Sequence, residues 1–155
     1  MKSFLYVLIQ STWGILQTLL GGVLFLLHLS SPHRFYHGAV VTRWQAKSSI
    51  SLGLFVFITD EPYFYKKLKH NYTKQDLFDR LLVHEYGHTV QSLILGPLYL
   101  IIMGIPSTLW GFLPHFANQR KQGRSYFSFF TESWANRLGE RVTGQCSMEQ
   151  LQIDS

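Results

Sequence analysis

Charge is what this chain has least of. Its 155 residues include 14 basic and 9 acidic side chains, a charged fraction of 15%. Soluble domains carry about 25%. That deficit argues against an ordinary soluble enzyme, and 46% hydrophobic residues argue for contact with lipid. Cysteine is almost absent. The single Cys146 excludes an internal disulfide and reads as an inert thiol near a polar C-terminus. There is no internal repeat and no low-complexity segment. The net charge is +5, yet no nucleic-acid-binding module accompanies it. The basic residues are scattered among apolar runs, so an anionic lipid surface explains them better than nucleic acid does. The length suits one domain, residues 1–155.

What is present begins with an apolar run. Phe4 to Leu29 has no charged residue except His28 when protonated. It exceeds the roughly 20 residues that cross a bilayer. A signal peptide would have an apolar core of about 7–15 residues and a small-residue cleavage site. Leu26-Leu27-His28-Leu29 offers no such site, so 4–29 reads as a retained transmembrane helix. Ser11, Gly14, Thr18 and Gly22 form a small-residue stripe suited to close packing of another helix, from a second copy or another subunit. Ser31-Pro32 ends the helix. His33, Arg34, Arg43 and Lys47 follow it, against Lys2 alone before it, which puts the N-terminus outside and the next loop in the cytoplasm. His33 and His37 read as interfacial side chains. Val40–Ala46 and Ile50–Ile58 alternate like the strands of a β-hairpin, 40–58, with Lys47-Ser48-Ser49 at the turn. A polar, aromatic connection, 63–72, leads on.

The chemistry gathers in His84-Glu85-Tyr86-Gly87-His88. Thr73-x-x-Asp76 is a capping signal and Gly96-Pro97 a stop, so the spacing predicts a helix over 74–95. On it His84 and His88 share one face and can grip one metal ion, with Glu85 beside them as general base. Leu82, Tyr86, Val90 and Leu93 line one side, and Leu77 and Leu81 continue the line of the histidines; the helix is therefore buried. Gly87 costs about 1 kcal/mol against alanine there and implies close approach of a neighbour. Zn2+ held by two histidines needs a third protein ligand. Glu132, Glu140 and Glu149 are candidates. Glu132 is the best placed, on a helix read over 125–141 whose Ser125, Ser128, Glu132, Ala135, Asn136 and Gly139 form one small or polar face. Asn136, one turn on, is suited to accept a hydrogen bond from a ligand histidine and fix its orientation. Between the two helices lies an apolar region, 98–113, short for a span and broken by Gly104, Pro106 and Gly111. It reads as re-entrant with a bend near Gly104-Ile105-Pro106, as two short helices against the bilayer, or as a spanning segment. Arg120, Lys121 and Arg124 beyond it agree with a cytoplasmic return.

His84-Glu85-Tyr86-Gly87-His88 followed by Glu132-Ser133-Trp134-Ala135-Asn136 resembles the gluzincin metallopeptidases. The membrane branch with HtpX and the type-1 CAAX prenyl proteases is nearest in pattern. Its third ligand stands in Glu-x-x-Ala-Asp, and this chain differs in having Asn136 at the last place. The resemblance implies zinc ligands His84, His88 and Glu132, and Glu85 as general base. The expectation is thus an α+β, zincin-like membrane protein. It would hydrolyse peptide bonds on the cytoplasmic side, with an extended peptide or protein substrate added to the edge of the 40–58 hairpin. Tyr99, His115, Tyr126 and Arg137 are open candidates for the oxyanion donor. The rival is a non-catalytic membrane protein or complex subunit with a structural or vestigial zinc site, closed by His70 or His115.

Overall fold

A computed structural model describes residues 3–62, 65–68, 71–116 and 125–151. The chain is α+β. Helices α1 (Ser3–Thr12) and α2 (Ile15–Leu27) lead into four strands, β1 (His33–Tyr36), β2 (Ala39–Trp44), β3 (Ile50–Leu52) and β4 (Phe55–Thr59). A short α3 (Tyr65–Leu68) precedes the long α4 (Lys74–Leu95). After a 3-10 turn at Gly96–Leu98, a π-helical stretch (Leu100–Gly104) runs on into α5 (Ile105–Phe112). A second 3-10 turn, Tyr126–Ser128, introduces α6 (Phe130–Thr143).

The sheet has the order β1-β2-β4-β3 and mixed pairing. Its strands correct the expected hairpin. The segments 40–46 and 50–58 do not pair as one antiparallel ribbon. Instead β2 runs parallel to β4, from Val40 opposite Phe55 to Trp44 opposite Thr59. The run 50–58 is itself folded back, with β3 antiparallel to β4. Its unbroken alternation hides a turn at Gly53, whose φ of +63° favours glycine. Neighbours hold that turn: Tyr6 Oη donates to the Gly53 carbonyl at 3.2 Å, and Val40 N–H to the Leu54 carbonyl at 2.9 Å. The hairpin that does form ahead of it joins β1 to β2 through His37 and Gly38, both with positive φ.

The 4–29 run is also corrected. It bends by 99° between α1 and α2, and among the described residues no single helix is long and apolar enough to cross a membrane. The cause lies in its polar residues. Gln10 donates to the Thr89 carbonyl at 2.9 Å and accepts from Ser92 Oγ at 3.0 Å. Gln17 donates to Ser92 Oγ at 2.7 Å and to the Gly96 carbonyl at 3.0 Å. The bend brings both amides onto one serine of α4. Thr18 Oγ1 caps the Gln10 carbonyl at 2.8 Å.

The region 98–113 departs likewise. Leu100 to Phe112 is continuous, without a break at Gly104-Ile105-Pro106, and the bend of 119° falls between Leu98 and Leu100, just after the 3-10 turn that ends α4. Gly96 has φ +53°, while Pro106 follows directly on the π-helical stretch, whose wider turn accommodates a residue with no N–H. The third-ligand helix starts at Phe130 rather than 125, because Ser125 caps the 3-10 turn before it, accepting from Phe127 N–H at 3.3 Å.

α4 begins in a capping box in which Thr73 and Asp76 satisfy each other's backbone N–H. It lies buried between the sheet and α6. Tyr6, Val41, Val56, Ile58, Leu82 and Tyr86 form the heart of the core. Against α6 the approach is backbone to backbone. A Cβ on Gly87 would strike the Ala135 carbonyl, and one on Gly139 would strike the Val83 carbonyl. These two glycines set the spacing that the site requires.

Candidate metal centre

That crossing brings together residues 44 or more positions apart in sequence. His84 and His88 project from α4 and Glu132 from the first turn of α6. Each offers a ligand atom, and the three atoms lie within 4.8 Å of one another. Glu132 Oε2 is 3.2 Å from His84 Nε2 and 3.4 Å from His88 Nε2. All three residues are buried.

The neighbours define the protonation pattern. His84 Nδ1 meets Asn136 Oδ1 at 2.8 Å, and His88 Nδ1 meets Gln91 Oε1 at 2.8 Å. Gln91 Nε2 donates to the Thr131 carbonyl at 2.8 Å, which fixes its oxygen toward His88. The His88 Nδ1 therefore carries a hydrogen, and its Nε2 is the nitrogen that faces Glu132. The same tautomer suits His84. On Glu132 the other oxygen, Oε1, accepts from Ser107 Oγ and, at 2.9 Å, from Thr131 Oγ1. Oε2 is left to face the imidazoles. Gln91, Ser107 and Thr131 were not singled out in the sequence. Only Gln91 had a signal there, as a polar residue one turn beyond His88 on a buried helix.

Burial resists protonation of His88, but the Glu132 carboxylate prevails and raises its pKa to about 9. Burial resists ionisation of Glu132 as well; the charge of His88 and the bonds from both histidines still hold it well below the carboxylate range. A proton alone satisfies the cluster by charging His88 beside the buried Glu132 carboxylate. A divalent cation would take that proton's place as one ion shared by two nitrogens and one oxygen, so the donor set fits a borderline metal ion.

Glu85 stands beside the cluster and outside it. Its Oε2 accepts from Ser51 Oγ of β3 at 2.6 Å, and the same hydroxyl reaches the Glu85 backbone oxygen at 2.9 Å. Glu85 and the three candidate ligands border a cavity of about 600 Å³ between β3, the Leu100–Phe112 stretch and the Tyr126–Ser128 turn. Of the four oxyanion candidates, Tyr99 and Tyr126 border this cavity. Arg137 is turned away to pair with Glu149 at 3.6 Å, and His115 packs on Phe116. Burial, with the Glu85 and Glu132 charges, keeps the Tyr99 phenol protonated well above its ordinary range; its hydroxyl donates to the Ser51 carbonyl at 3.4 Å. Of the two candidates for a closing fourth ligand, His70 lies outside the described residues and His115 is not in the cluster.

Comparison with protein-family models, with curated proteins and with solved structures gives no match.

Proposed function

We propose that this chain is a membrane-associated, zinc-dependent peptidase of the gluzincin type. The observation that carries the reading is the convergence of His84, His88 and Glu132 on one point, beside an unliganded carboxylate and an open cavity. Imidazole and carboxylate ligands suit zinc, and zinc when bound supplies Lewis acidity and an acidified water.

The protein's own residues do the rest. Asn136 and Gln91 orient the two imidazoles, and Ser107 with Thr131 occupies the oxygen of Glu132 that faces away from them. Glu85, steadied by Ser51, would take a proton from the water whose oxygen adds to the scissile carbonyl carbon and pass it to the amine nitrogen that leaves as the C–N bond breaks. Tyr99 and Tyr126 supply hydroxyls on the same wall. An extended peptide adds to the outer edge of β3, whose Ile50, Ser51 and Leu52 border the cavity. The apolar wall formed by Met103, Leu109 and Phe127 favours an apolar side chain near the scissile bond.

A purely structural zinc site would be closed by a fourth protein ligand. Among the described residues only three converge. The decisive test is Glu85→Gln. The variant should bind one zinc as the parent does while cleaving a quenched peptide on the order of a thousandfold more slowly. Undiminished cleavage would remove Glu85 from the chemistry, and a parent protein that binds no metal would end the reading.

A further inference from the structure

The first two helices are inside out. Gln10 and Gln17 are fully buried and Thr18 nearly so, whereas Leu5, Leu8, Leu16, Leu19, Leu20 and Val23 stand exposed. A helix facing water would show the reverse. The same holds after α4. Ile101, Ile105, Leu109 and Phe112 point outward while Tyr99 and Met103 are buried. Among the described residues, the large exposed apolar side chains fall in 4–29 or 94–113, with Phe35, Ile50, Phe130 and Val142 as the exceptions. Soluble monomers rarely expose an apolar patch beyond a few hundred Å².

The two regions are one surface. They touch next to their bends: a Cβ on Gly96 would run into the Trp13 indole, and Gln17 donates to the Gly96 carbonyl. Trp13 and Leu98, at this junction, are each about half exposed.

We propose that α1, α2 and the Leu98–Phe112 stretch lie in the plane of the membrane, seated in one leaflet of an anionic bilayer. This rests on the membrane association proposed above and not on the hydrolytic chemistry. Three observations select lipid in this mode. First, α1 has 10 residues and α2 has 13, so they rise about 15 Å and about 20 Å, short of the ~30 Å hydrocarbon core. Second, straightening them into one span would pull Gln10 and Gln17 off α4 and into hydrocarbon. Third, neither 4–29 nor 86–113 contains Asp, Glu, Lys or Arg, and the chain carries +5 overall. Nothing in these two stretches repels anionic headgroups. An in-plane seat also keeps the N-terminus on the same side as the metal centre, in place of the opposite side expected from a span. Ile105, Leu109 and Phe112 belong both to this surface and to the cavity wall. The cavity therefore opens at the lipid boundary, where it would meet peptide segments leaving or lying on a membrane.

The test is flotation of the full chain, purified in mild detergent and transferred to vesicles of phosphatidylcholine and phosphatidylglycerol. The parent should float with the vesicles. Leu19→Glu with Leu20→Glu, and separately Ile101→Glu with Ile105→Glu, should each reduce the floated fraction at least about tenfold. Val142→Glu, off the surface, should float like the parent. In a Cys146→Ser background, Ser3→Cys and Leu29→Cys should both react with an impermeant maleimide added outside the vesicles. Protection of one of the two would mean a span and overturn the in-plane seat. A stable dimer that does not float would mean that a second copy covers the surface, and would overturn it too. Flotation does not depend on Glu85, so Glu85→Gln should float normally. Failure to float with cleavage intact would refute this inference together with the membrane association it rests on and leave the peptidase standing, and flotation without cleavage would refute only the peptidase.

Discussion

The crossing of α4 with α6 and the outer face of α1, α2 and Leu98–Phe112 solve opposite problems with the same chain. At the crossing, ionisable side chains are buried and nearly every polar atom has a partner: both Nδ1 atoms of the histidines and both carboxylate oxygens of Glu132 are assigned. Asn136 Nδ2 is the orphan there. On the outer face, uncharged apolar side chains stand exposed among the described residues. Backbone tolerance differs in the same way. Two glycines at the crossing sit against carbonyl groups of the other helix, whereas a Cβ on Gly104, at the cavity wall of the outer stretch, would meet among the described residues only the Leu100 side chain, at 3.7 Å. A site that must hold charge out of water needs fixed partners; a surface that meets a fluid solvent does not.

The comparison breaks most visibly at Gly87. Alanine there places a methyl group inside the van der Waals envelope of the Ala135 carbonyl, and a helix backbone cannot yield as a side chain does. We expect Gly87→Ala to cost at least about 3 kcal/mol in urea unfolding and to abolish metal binding, because the α6 ligand moves away from the α4 pair. A stable variant that still binds zinc would show that the crossing is looser than the geometry implies.

Charge separates the regions next. The contribution of protonated His88 is complete below its ordinary value of 6.5 and is lost as pH climbs through about 9. Glu132, held low, contributes above its ordinary 4.5 and loses that contribution as pH falls through its lowered value. Metal-free protein should therefore lose thermal stability on the alkaline side, between about pH 6.5 and 9. With zinc bound the His88 Nε2 proton would be displaced, so the alkaline loss should vanish and an acid loss should appear as protons compete with the ion. Melting temperatures across this range, with and without zinc, decide it. Parallel profiles would mean that the cluster takes no metal.

The sequence reading reached these two regions unequally. His84, His88, Glu132 and Asn136 were legible because helical spacing puts each pair on one face, and Gly87 and Gly139 announced a close neighbour. Local patterns with fixed periods carry that information. What lay outside the reading depended on contacts between distant segments. The turn at Gly53 interrupts an alternation that runs unbroken from Ile50 to Ile58, and it forms because Tyr6 and Val40 bond to it from elsewhere. The bend at Gly14 follows from Gln10 and Gln17 seeking α4; hydropathy alone registers only an apolar run. Ser107 reaches Glu132 from another helix and has no local signature at all.

The groups behind the ligands give the next effect. Asn136→Ala and Gln91→Ala each remove the acceptor for an Nδ1–H in a buried site. Zinc affinity, measured by competition with a chelating dye, should fall about 10- to 100-fold in each, which at a fixed saturating zinc concentration lowers the unfolding free energy by about 1.4 to 2.7 kcal/mol. Asn136→Asp should bind zinc more tightly than the parent, since a carboxylate orients an imidazole more strongly. Equal affinities in all three would detach these amides from the metal.

The smallest effect is expected at Gly104, and it is the sharpest control on the first. Gly104 lies in the π-helical stretch, where alanine gains up to about 1 kcal/mol of helix propensity. A Cβ there would meet two atoms, both of the Leu100 side chain, at 3.7 and 3.9 Å, which is ordinary contact. The widened turn relieves Pro106, and one methyl group on the preceding helical surface leaves that relief in place. Gly104→Ala should thus change stability by less than about 1 kcal/mol, toward stabilisation, and leave zinc affinity unchanged. A loss as large as that of Gly87→Ala would mean that Gly104 is packed as tightly as the crossing, and the contrast between a crossing fixed by backbone contact and a loosely packed cavity wall would fail there.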